Sequence, residues 1–135
     1  MKYLADANVL SEPTKQQPSA RVIAWLGEHI EDVTVSAIVI AEIWRGIDAK
    51  VEGHKKRELT RWFHRSPRAL RCLPWTSDTA IVWGELFNQI KRDGYTVGLM
   101  DTMIAATAKL HGLTVATRNM DDFTRCGVPV VNPFE

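Results

Sequence analysis

The stretch YLADANVL, residues 3–10, decides how the chain can fold. A short apolar run ends at Asp6, as expected for a buried first β-strand whose C-terminal end delivers a carboxylate. In open α/β sheets, ligands bind at that end of the strands, so Asp6 is the first candidate functional residue. The same sequence is typical of a turn or a helix cap, and the stretch alone leaves both interpretations open.

The composition is that of an ordinary globular protein. The 135 residues are 45% hydrophobic and 24% charged, with a formal net charge of +1. We expect one domain, residues 1–135, in which nucleic-acid binding would require local clusters of charge. Cys72 and Cys126 lack the spacing of a metal site and are interpreted as reduced thiols. No segment has the apolar length of a signal peptide or of a membrane span, about 18 residues for the latter, so we expect a cytoplasmic protein without membrane contact.

Hydrophobic periodicity alternates between strand and helix along the whole chain. Besides the first strand, short β-rich runs occur at 33–35, 70–75, 113–116 and 128–131. Helices are predicted over 18–30, 37–51, 54–66, 77–92 and 99–111, with a short helix after the polar turn at 117–123. Ser36 and Ser77 are expected to cap their helices, and Gly112 to end the last long one. This alternation favours a three-layer α/β/α sandwich with a mainly parallel central sheet.

Glu42 provides the sharpest chemical argument. The helix predicted over 37–51 is apolar on nearly every side, so we expect it at the centre of the fold, with Glu42 in its middle. An unpaired buried carboxylate is strongly destabilising, and the i+4 position is Gly46, which excludes a salt bridge one helical turn further on. Glu42 is therefore solvated, paired with Arg45 or a distant arginine, or a metal ligand.

Further acids reach the same edge of the predicted sheet. Asp101 lies in the first turn of its helix, where the helix dipole alone favours an acid. Asp121 and Asp122 follow the fourth strand, where turn formation is the ordinary explanation. Together with Asp6, these acids would repel one another unless cations bind between them. Oxygen-rich sites of this kind select Mg²⁺ or Mn²⁺, which activate water for phosphodiester hydrolysis, so the pattern indicates a nuclease.

A basic amphipathic helix offers a surface for the substrate of such an enzyme. Residues 54–71 include seven lysines and arginines against a single acid. Leu59, Trp62, Phe63 and Ser66 are expected on one helical face, with arginines at helical spacing on another. The candidate substrate-binding residues are Arg57, Arg61, Arg65 and Arg68. A solvated face is the alternative.

With these motifs, the chain resembles PIN-domain ribonucleases, and among them the VapC-type toxins of bacterial toxin–antitoxin pairs, including the FitB-like group. Four blocks carry the resemblance, in order and over essentially the whole length. They are YLADANVLSE at 3–12, SAIVIAEIWRG at 36–46, GLMDTMIAATA followed by HGL at 98–113, and TRN with DF at 117–123.

The resemblance implies a reaction and the acids that perform it. The acids implied as catalytic and metal-binding are Asp6, Glu42, Asp101 and, as the fourth, Asp122. The implied cofactor is Mg²⁺ or Mn²⁺. The expected reaction is in-line attack by a metal-activated water on an RNA phosphodiester, leaving 5′-phosphate and 3′-hydroxyl ends. Asp6 and Asp101 would hold the principal ion, while Glu42 and Asp122 help to orient water or a second ion.

Two positions depart from the family pattern. Ala7 stands where the family commonly has Thr, and Asn119 stands where some relatives carry the fourth acid. Asp122 is taken as that acid on the model of other relatives. Asn8, Thr117 and Asn119 are then candidates for orienting ligands or water.

The resemblance also implies partners. It implies an endoribonuclease toxin that forms a homodimer, that is blocked by a small antitoxin protein, and that meets DNA only through the antitoxin. The arginine stripe would then contact RNA, or an acidic segment of the antitoxin.

Other functional classes fit the residues less well. The four histidines are scattered along the chain, which disfavours two-histidine ribonuclease chemistry. A receiver-like signalling domain needs paired acids after the first strand and a late lysine, whereas Asp6 stands alone there and Arg118 occupies the late turn. A non-catalytic module that acts only with its antitoxin on DNA is a further alternative, although the three intact acids argue that a metal site is kept.

Overall fold

A five-stranded sheet forms the centre of the computed structural model, which describes all residues from Met1 to Glu135. The strands are β1 (Tyr3–Ala5), β2 (Val33–Ser36), β3 (Arg71–Leu73), β4 (Thr114–Ala116) and β5 (Val130–Val131). Their spatial order is β3-β2-β1-β4-β5, and every neighbouring pair is parallel.

Helices cover the sheet. The α-helices are α1 (Ala7–Leu10), α2 (Ala20–His29), α3 (Ala37–Asp48), α4 (His54–Arg65), α5 (Ser77–Arg92), α6 (Leu99–His111) and α7 (Met120–Arg125). Short 3-10 helices span Glu12–Thr14, Ile30–Asp32 and Pro67–Ala69. The expected α/β/α sandwich with a parallel sheet is confirmed. None of the helices combines the length and the apolar character needed to cross a membrane.

The strand order creates a crevice beside β1. Leu4 is fully buried and pairs with Thr34 of β2 on one side and with Val115 of β4 on the other. The chain runs from β1 to β2 and β3, then returns to the opposite side of β1 for β4 and β5. Such a reversal opens a crevice at the carboxyl ends of the two strands that flank it. Asp6 follows β1 and Thr117 follows β4, so both residues lie at this crevice.

The helix caps agree with the sequence signals at α3 but not at α5. The Ser36 hydroxyl accepts a hydrogen bond from the Val39 N–H at 3.1 Å, as expected. The expectation that Ser77 caps α5 is wrong, because Thr76 is the cap. Thr76 and Thr79 each accept a hydrogen bond from the other's backbone N–H through their hydroxyls, both at 3.3 Å. A cap at Ser77 could not form this reciprocal pair, because the residue three positions on is alanine.

α3 does not lie at the centre of the fold, contrary to the expectation from its composition. Its buried residues are Val39, Ile43 and Ile47, which are spaced four apart along one stripe. Its other large apolar side chains are only partly covered, and Trp44 contacts Phe63 of α4 with ring centroids 5.1 Å apart. The helix is therefore an outer element whose flank is covered by α4.

The central helix is α6. Thr102 and every residue from Ile104 to Ala108 are buried in it. Three of these are alanines, which allow the helix to approach both the sheet and α5 closely. Gly112 ends α6 with φ +66°, as the sequence predicts.

The basic helix is shorter than predicted. α4 ends at Arg65, and Ser66, which was expected on the apolar face, is exposed. Leu59 and Phe63 are buried as expected. Arg68 belongs to the following 3-10 turn, so the arginine stripe is not continuous along one helix. The next strand covers 71–73 rather than 70–75.

Candidate active site

Asp6 is held from three directions at the end of β1. It has the extended backbone of an N-cap, and its Oδ1 accepts a hydrogen bond from the Ala7 N–H at 2.8 Å, which confirms the cap interpretation. Oδ2 accepts hydrogen bonds from the Thr117 hydroxyl at 2.8 Å and from Asn8 Nδ2 at 3.3 Å. Burial raises the pKa of Asp6 above its ordinary value, against the lowering effect of these three donors. The cap leaves Asp6 fixed in orientation, with Oδ2 in a network of polar side chains.

Asn8 and Thr117 join the ends of β1 and β4. The Asp6 N–H donates to the Ala116 carbonyl at 2.9 Å, which extends the pairing of the two strands to the site. Asn8 Oδ1 accepts a hydrogen bond from the Arg118 N–H at 3.2 Å. Thr117 is fully buried, and its side chain therefore has one fixed environment. Asn8 and Thr117, two of the three residues that the sequence proposed for orienting ligands, thus lie beside Asp6.

Asn119 connects the second pair of acids. Its Nδ2 donates to Asp101 Oδ2 at 2.8 Å and to Asp122 Oδ2 at 2.9 Å. The Asn119 N–H donates to the Thr117 hydroxyl at 2.9 Å, so this tether is continuous with the network around Asp6. Burial, followed by the charges of Asp6 and Asp122, raises the pKa of Asp101 to about 6. The position where some relatives carry an acid thus holds two acids together through an amide.

Glu42 completes the cluster from α3. Its Oε1 is buried and accepts no hydrogen bond, although the side chain as a whole is only half-buried. None of the ion pairs in the chain includes Glu42, so pairing with Arg45 or a distant arginine is not found. Burial raises the pKa of Glu42 to about 7, assisted by the charges of Asp6 and Asp101 and opposed by Arg45. A buried carboxylate oxygen without a donor is rare because its desolvation is uncompensated.

The donor set fits a hard divalent cation. Each of Asp6, Glu42 and Asp101 has a raised pKa, and the charge of Asp6 raises the pKa of the other two. The charges of the three carboxylates therefore act on one another, and a bound cation would relieve their repulsion. No group of three or more acids, histidines or cysteines is arranged so that it could hold a metal ion by itself. Mg²⁺ commonly keeps several waters and binds only one or two carboxylates directly, so it does not require three protein ligands.

A groove leads to Glu42 between α1, α3 and α4. Its lining includes Ala7, Glu42, Lys50, Leu59 and Trp62, so α4 contributes its apolar face. Lys50 is the only cationic residue in this lining. The hydroxyl that Thr would supply at position 7 is missing from the wall of this groove.

The predicted arginine stripe borders other surfaces. Arg57 and Arg61 line a depression with Glu52 and Lys56, and Arg65 lines another with Lys15 and Lys55. Arg68 Nη1 lies 3.3 Å from His64 Nδ1. All four arginines are exposed, but none lines the groove that contains Glu42. Their contact with RNA stays a prediction.

Two side-chain contacts of this region were not predicted from the sequence. Glu12 is buried, and its Oε2 accepts a hydrogen bond from the Ser19 N–H at 2.8 Å, which closes the loop after α1. Trp83 Nε1 donates to the Thr102 hydroxyl at 3.0 Å, next to Asp101. Cys126 is a free, buried thiol, as is the expectation for reduced cysteines, and burial with the nearby acids raises its pKa to about 11. The only sequence signal for the first was the SEP turn at 11–13, and the second had none.

Comparisons with known proteins agree with this architecture. The family model of the PIN domain matches residues 3–128. Toxin FitB of Neisseria gonorrhoeae is 41% identical over 135 residues, which cover 97% of each chain. VapC ribonuclease Y4jK of Sinorhizobium fredii is 35% identical over 134 residues, covering 96% of each chain.

Solved structures give the same result. A structure of FitAB bound to an IR36 DNA fragment superposes with a TM-score of 0.92 at 39% identity, covering 98% of this chain and 96% of the other. A DNA-bound VapBC of Salmonella typhimurium has a TM-score of 0.83 at 23% identity, covering 98% of each chain, which supports the fold alone.

Proposed function

Because the chain belongs to the PIN domain family, we propose that it is a divalent-metal-dependent endoribonuclease, the toxin of a toxin–antitoxin pair. Relatives at 41% and 35% identity over nearly the whole chain are named a toxin and a ribonuclease. The observation that carries the proposal is the buried Oε1 of Glu42, which accepts no hydrogen bond although the charges of Asp6 and Asp101 act on the same carboxyl group. A nuclease that uses divalent cations requires carboxylate oxygens that no protein donor occupies.

Asp6, Asp101 and Glu42 are the residues that would hold Mg²⁺ or Mn²⁺, with Asp122 assisting through Asn119. When bound, such an ion supplies an acidified water and neutralises charge on the phosphoryl oxygens. Thr117 and Asn8 keep Asp6 in one orientation, so the carboxylate does not have to reorganise during the reaction.

The chemical step follows from the free oxygen of Glu42. The Glu42 carboxylate would accept a hydrogen bond from the attacking water and orient it in line with the leaving oxygen. The water oxygen bonds to phosphorus and gives one proton to the Glu42 carboxylate, while the bond from phosphorus to the 3′ oxygen breaks and that oxygen takes a proton from a solvent water. The products are a 5′-phosphate and a 3′-hydroxyl end. Arg57, Arg61, Arg65 and Arg68 remain candidates for RNA contact at a distance from the reacting atoms.

The proposed partner is an antitoxin protein, through which the toxin meets DNA. Support comes from solved relatives described as FitAB on DNA and as FitAcB from Neisseria gonorrhoeae. The toxin itself offers an apolar groove between α3 and α4 whose lining includes Ile40, Trp44 and Phe63. Ile81 of α5 and Leu99 of α6 are largely exposed, which supports a homodimer. The proposed place of action is the cytoplasm.

Cleavage of a mixed RNA pool tests the proposal. Purified, antitoxin-free protein is incubated with Mg²⁺, Mn²⁺ or EDTA, with Asp6→Asn run beside it. Cuts that require the ion, disappear in the variant and leave 5′-phosphates support the nuclease. If folded protein cuts no RNA with either metal, the proposal is wrong and the non-catalytic binding module takes its place.

A further inference from the structure

Arg118 is fixed at the mouth of the crevice by its own backbone and by both neighbours. Its N–H donates to Asn8 Oδ1 at 3.2 Å. Thr117, which precedes it, bonds Asp6, and Asn119, which follows it, bonds two acids of the cluster. The side chain of Arg118 is exposed. The backbone of Arg118 is therefore held in one position beside the acids, while its side chain is open to solvent.

The guanidinium of Arg118 rests on a fixed aromatic platform. Its Cζ lies 3.8 Å from the centroid of the Phe134 ring. Phe134 belongs to the turn after β5, where its N–H donates to Asn132 Oδ1 at 3.0 Å. β5 pairs with β4, so this turn lies at the same edge of the sheet as the crevice. Stacking restricts the long side chain and lowers the conformational entropy that it loses when it binds a ligand.

Arg118 has no carboxylate partner, although it lies beside an acidic cluster. None of the ion pairs in the chain includes Arg118, whereas Arg125 Nη1 lies 3.7 Å from Asp122 Oδ1. Stacking uses the face of the guanidinium and leaves the N–H donors at its edge available. A planar fork of donors matches two oxygens of one phosphate group.

We propose that Arg118, held on the Phe134 ring, binds a backbone phosphate of the RNA substrate adjacent to the cleaved one. The inference rests on the proposed ribonuclease function and deepens it, because it assigns a substrate contact that the predicted arginine stripe does not provide. An RNA strand whose scissile phosphate lies at Asp6 and Asp101 must continue past the turn at 117–119. An acidic protein segment is less favoured, because its carboxylates would enter the repulsion of the acidic cluster without delivering a reacting phosphate there.

RNA binding measured without turnover tests the contact. Fluorescence anisotropy of a mixed-sequence single-stranded RNA is recorded with Asp6→Asn protein in Mg²⁺ over a series of salt concentrations. Adding Arg118→Gln is expected to raise the Kd about tenfold and to reduce the slope of log K against log salt by about 0.7, the value for one phosphate contact on a single strand. Adding Phe134→Leu is expected to raise the Kd about threefold with the slope unchanged, because the charge stays.

The matched control is Arg92→Gln, which removes an equal charge at the end of α5, where Arg92 bonds only Gln89. It is expected to change the Kd less than twofold. Arg118→Lys, which keeps the charge without the fork, is expected to lie between the parent and Arg118→Gln, and melting curves of all variants check folding.

The outcomes separate this inference from the function on which it rests. If the wild-type protein cleaves RNA but Arg118→Gln binds RNA as the parent does, the inference alone is overturned. If Arg118→Gln weakens only antitoxin binding, the occupant is an acidic protein segment and the RNA assignment is wrong. If the wild-type protein neither binds nor cleaves RNA, the proposed function fails and the inference fails with it.

Discussion

The Thr117 hydroxyl donates a hydrogen bond to Asp6 Oδ2 at 2.8 Å across 111 positions of sequence. The same hydroxyl accepts a hydrogen bond from the Asn119 N–H at 2.9 Å. One buried group therefore connects Asp6 to Asn119, whose side chain bonds Asp101 and Asp122. Its removal should therefore disturb the whole cluster and not Asp6 alone.

Thr117→Val is expected to raise the Mg²⁺ concentration for half-maximal cleavage by about 10- to 100-fold, the range for groups that orient metal ligands. The isosteric change keeps the volume and removes the hydroxyl. Thr117→Ser serves as the control and should retain most of the metal affinity. Metal titrations of cleavage rate measure both, and equal losses in the two variants would contradict the assigned hydrogen bond.

The metal-free protein should become more stable as the pH falls from 8 to about 5.5. The folded protein raises the pKa of Glu42 to about 7 and that of Asp101 to about 6, above the ordinary values of 4.5 and 3.8. The folded state therefore binds more protons in this window, and stability is lost as the pH rises through the two raised values. Thermal melts in EDTA across this range measure the slope.

Glu42→Gln should flatten that slope, because it removes one of the two titrations that cause it. At pH 8 the variant is expected to melt a few degrees above the wild-type protein in EDTA and to gain less from added Mg²⁺. An exposed control, Glu85→Gln on α5, should leave the slope as it is. A wild-type melting temperature that rises with pH in EDTA would refute the assignment.

Ala7→Thr tests the departure from the family pattern. Ala7 lines the groove that contains Glu42, so a hydroxyl there would face the proposed metal site. We expect the half-maximal Mg²⁺ concentration for cleavage to fall about threefold, because one further oxygen supports bound water or a ligand. Ala7→Val has the same shape without the hydroxyl, and a similar effect in that variant would show that packing is responsible.

Trp83 is expected to position Asp101 through Thr102. The indole Nε1 donates to the Thr102 hydroxyl at 3.0 Å, and this hydroxyl donates to the Leu99 carbonyl at 2.6 Å, in the first turn of α6. The N-cap of α6 is Gly98, which has no side chain to bond the first turn. The two hydrogen bonds of the Thr102 hydroxyl therefore stabilise the first turn of α6. Trp83→Phe should cost about 1 kcal/mol of stability and lower the metal affinity in cleavage assays several-fold.

Trp75→Phe is the matched control, because Trp75 is also half-buried and makes no side-chain hydrogen bond. A variant at Trp83 that loses stability and keeps wild-type metal dependence would show that the indole is structural only.

The sequence predicted the fold because its signals are local. Alternating periods, the Ser36 cap and Gly112 each depend on a few neighbouring residues. The placement of α3 was wrong because its composition does not reveal that Trp44 lies at a flank covered by α4. The burial of α6 could not be predicted from the sequence either, since small residues such as Ala105 have no strong hydrophobic signal.

The acids of the candidate site could be selected from the sequence, but their connections could not. Parallel topology brings the residues after each strand to one edge, which is sufficient to select Asp6 and Asp122. The double hydrogen bond of Asn119 and the stacking of Arg118 on Phe134 depend on side-chain placement between distant segments. Such contacts follow no periodic pattern or fixed spacing in the sequence, so the sequence alone does not predict them.

β1 lies between β2 and β4, and β4 begins only at Thr114. A ribosome makes the chain from its N-terminus, so Asp6 leaves the ribosome long before the segment that orients it has been translated. Because a domain of this kind folds as a unit, the candidate site is assembled only after β4 and the turn at 117–119 have been translated. A nascent chain that stops before Thr117 therefore carries Asp6, Glu42 and Asp101 without the hydroxyl that bonds Asp6.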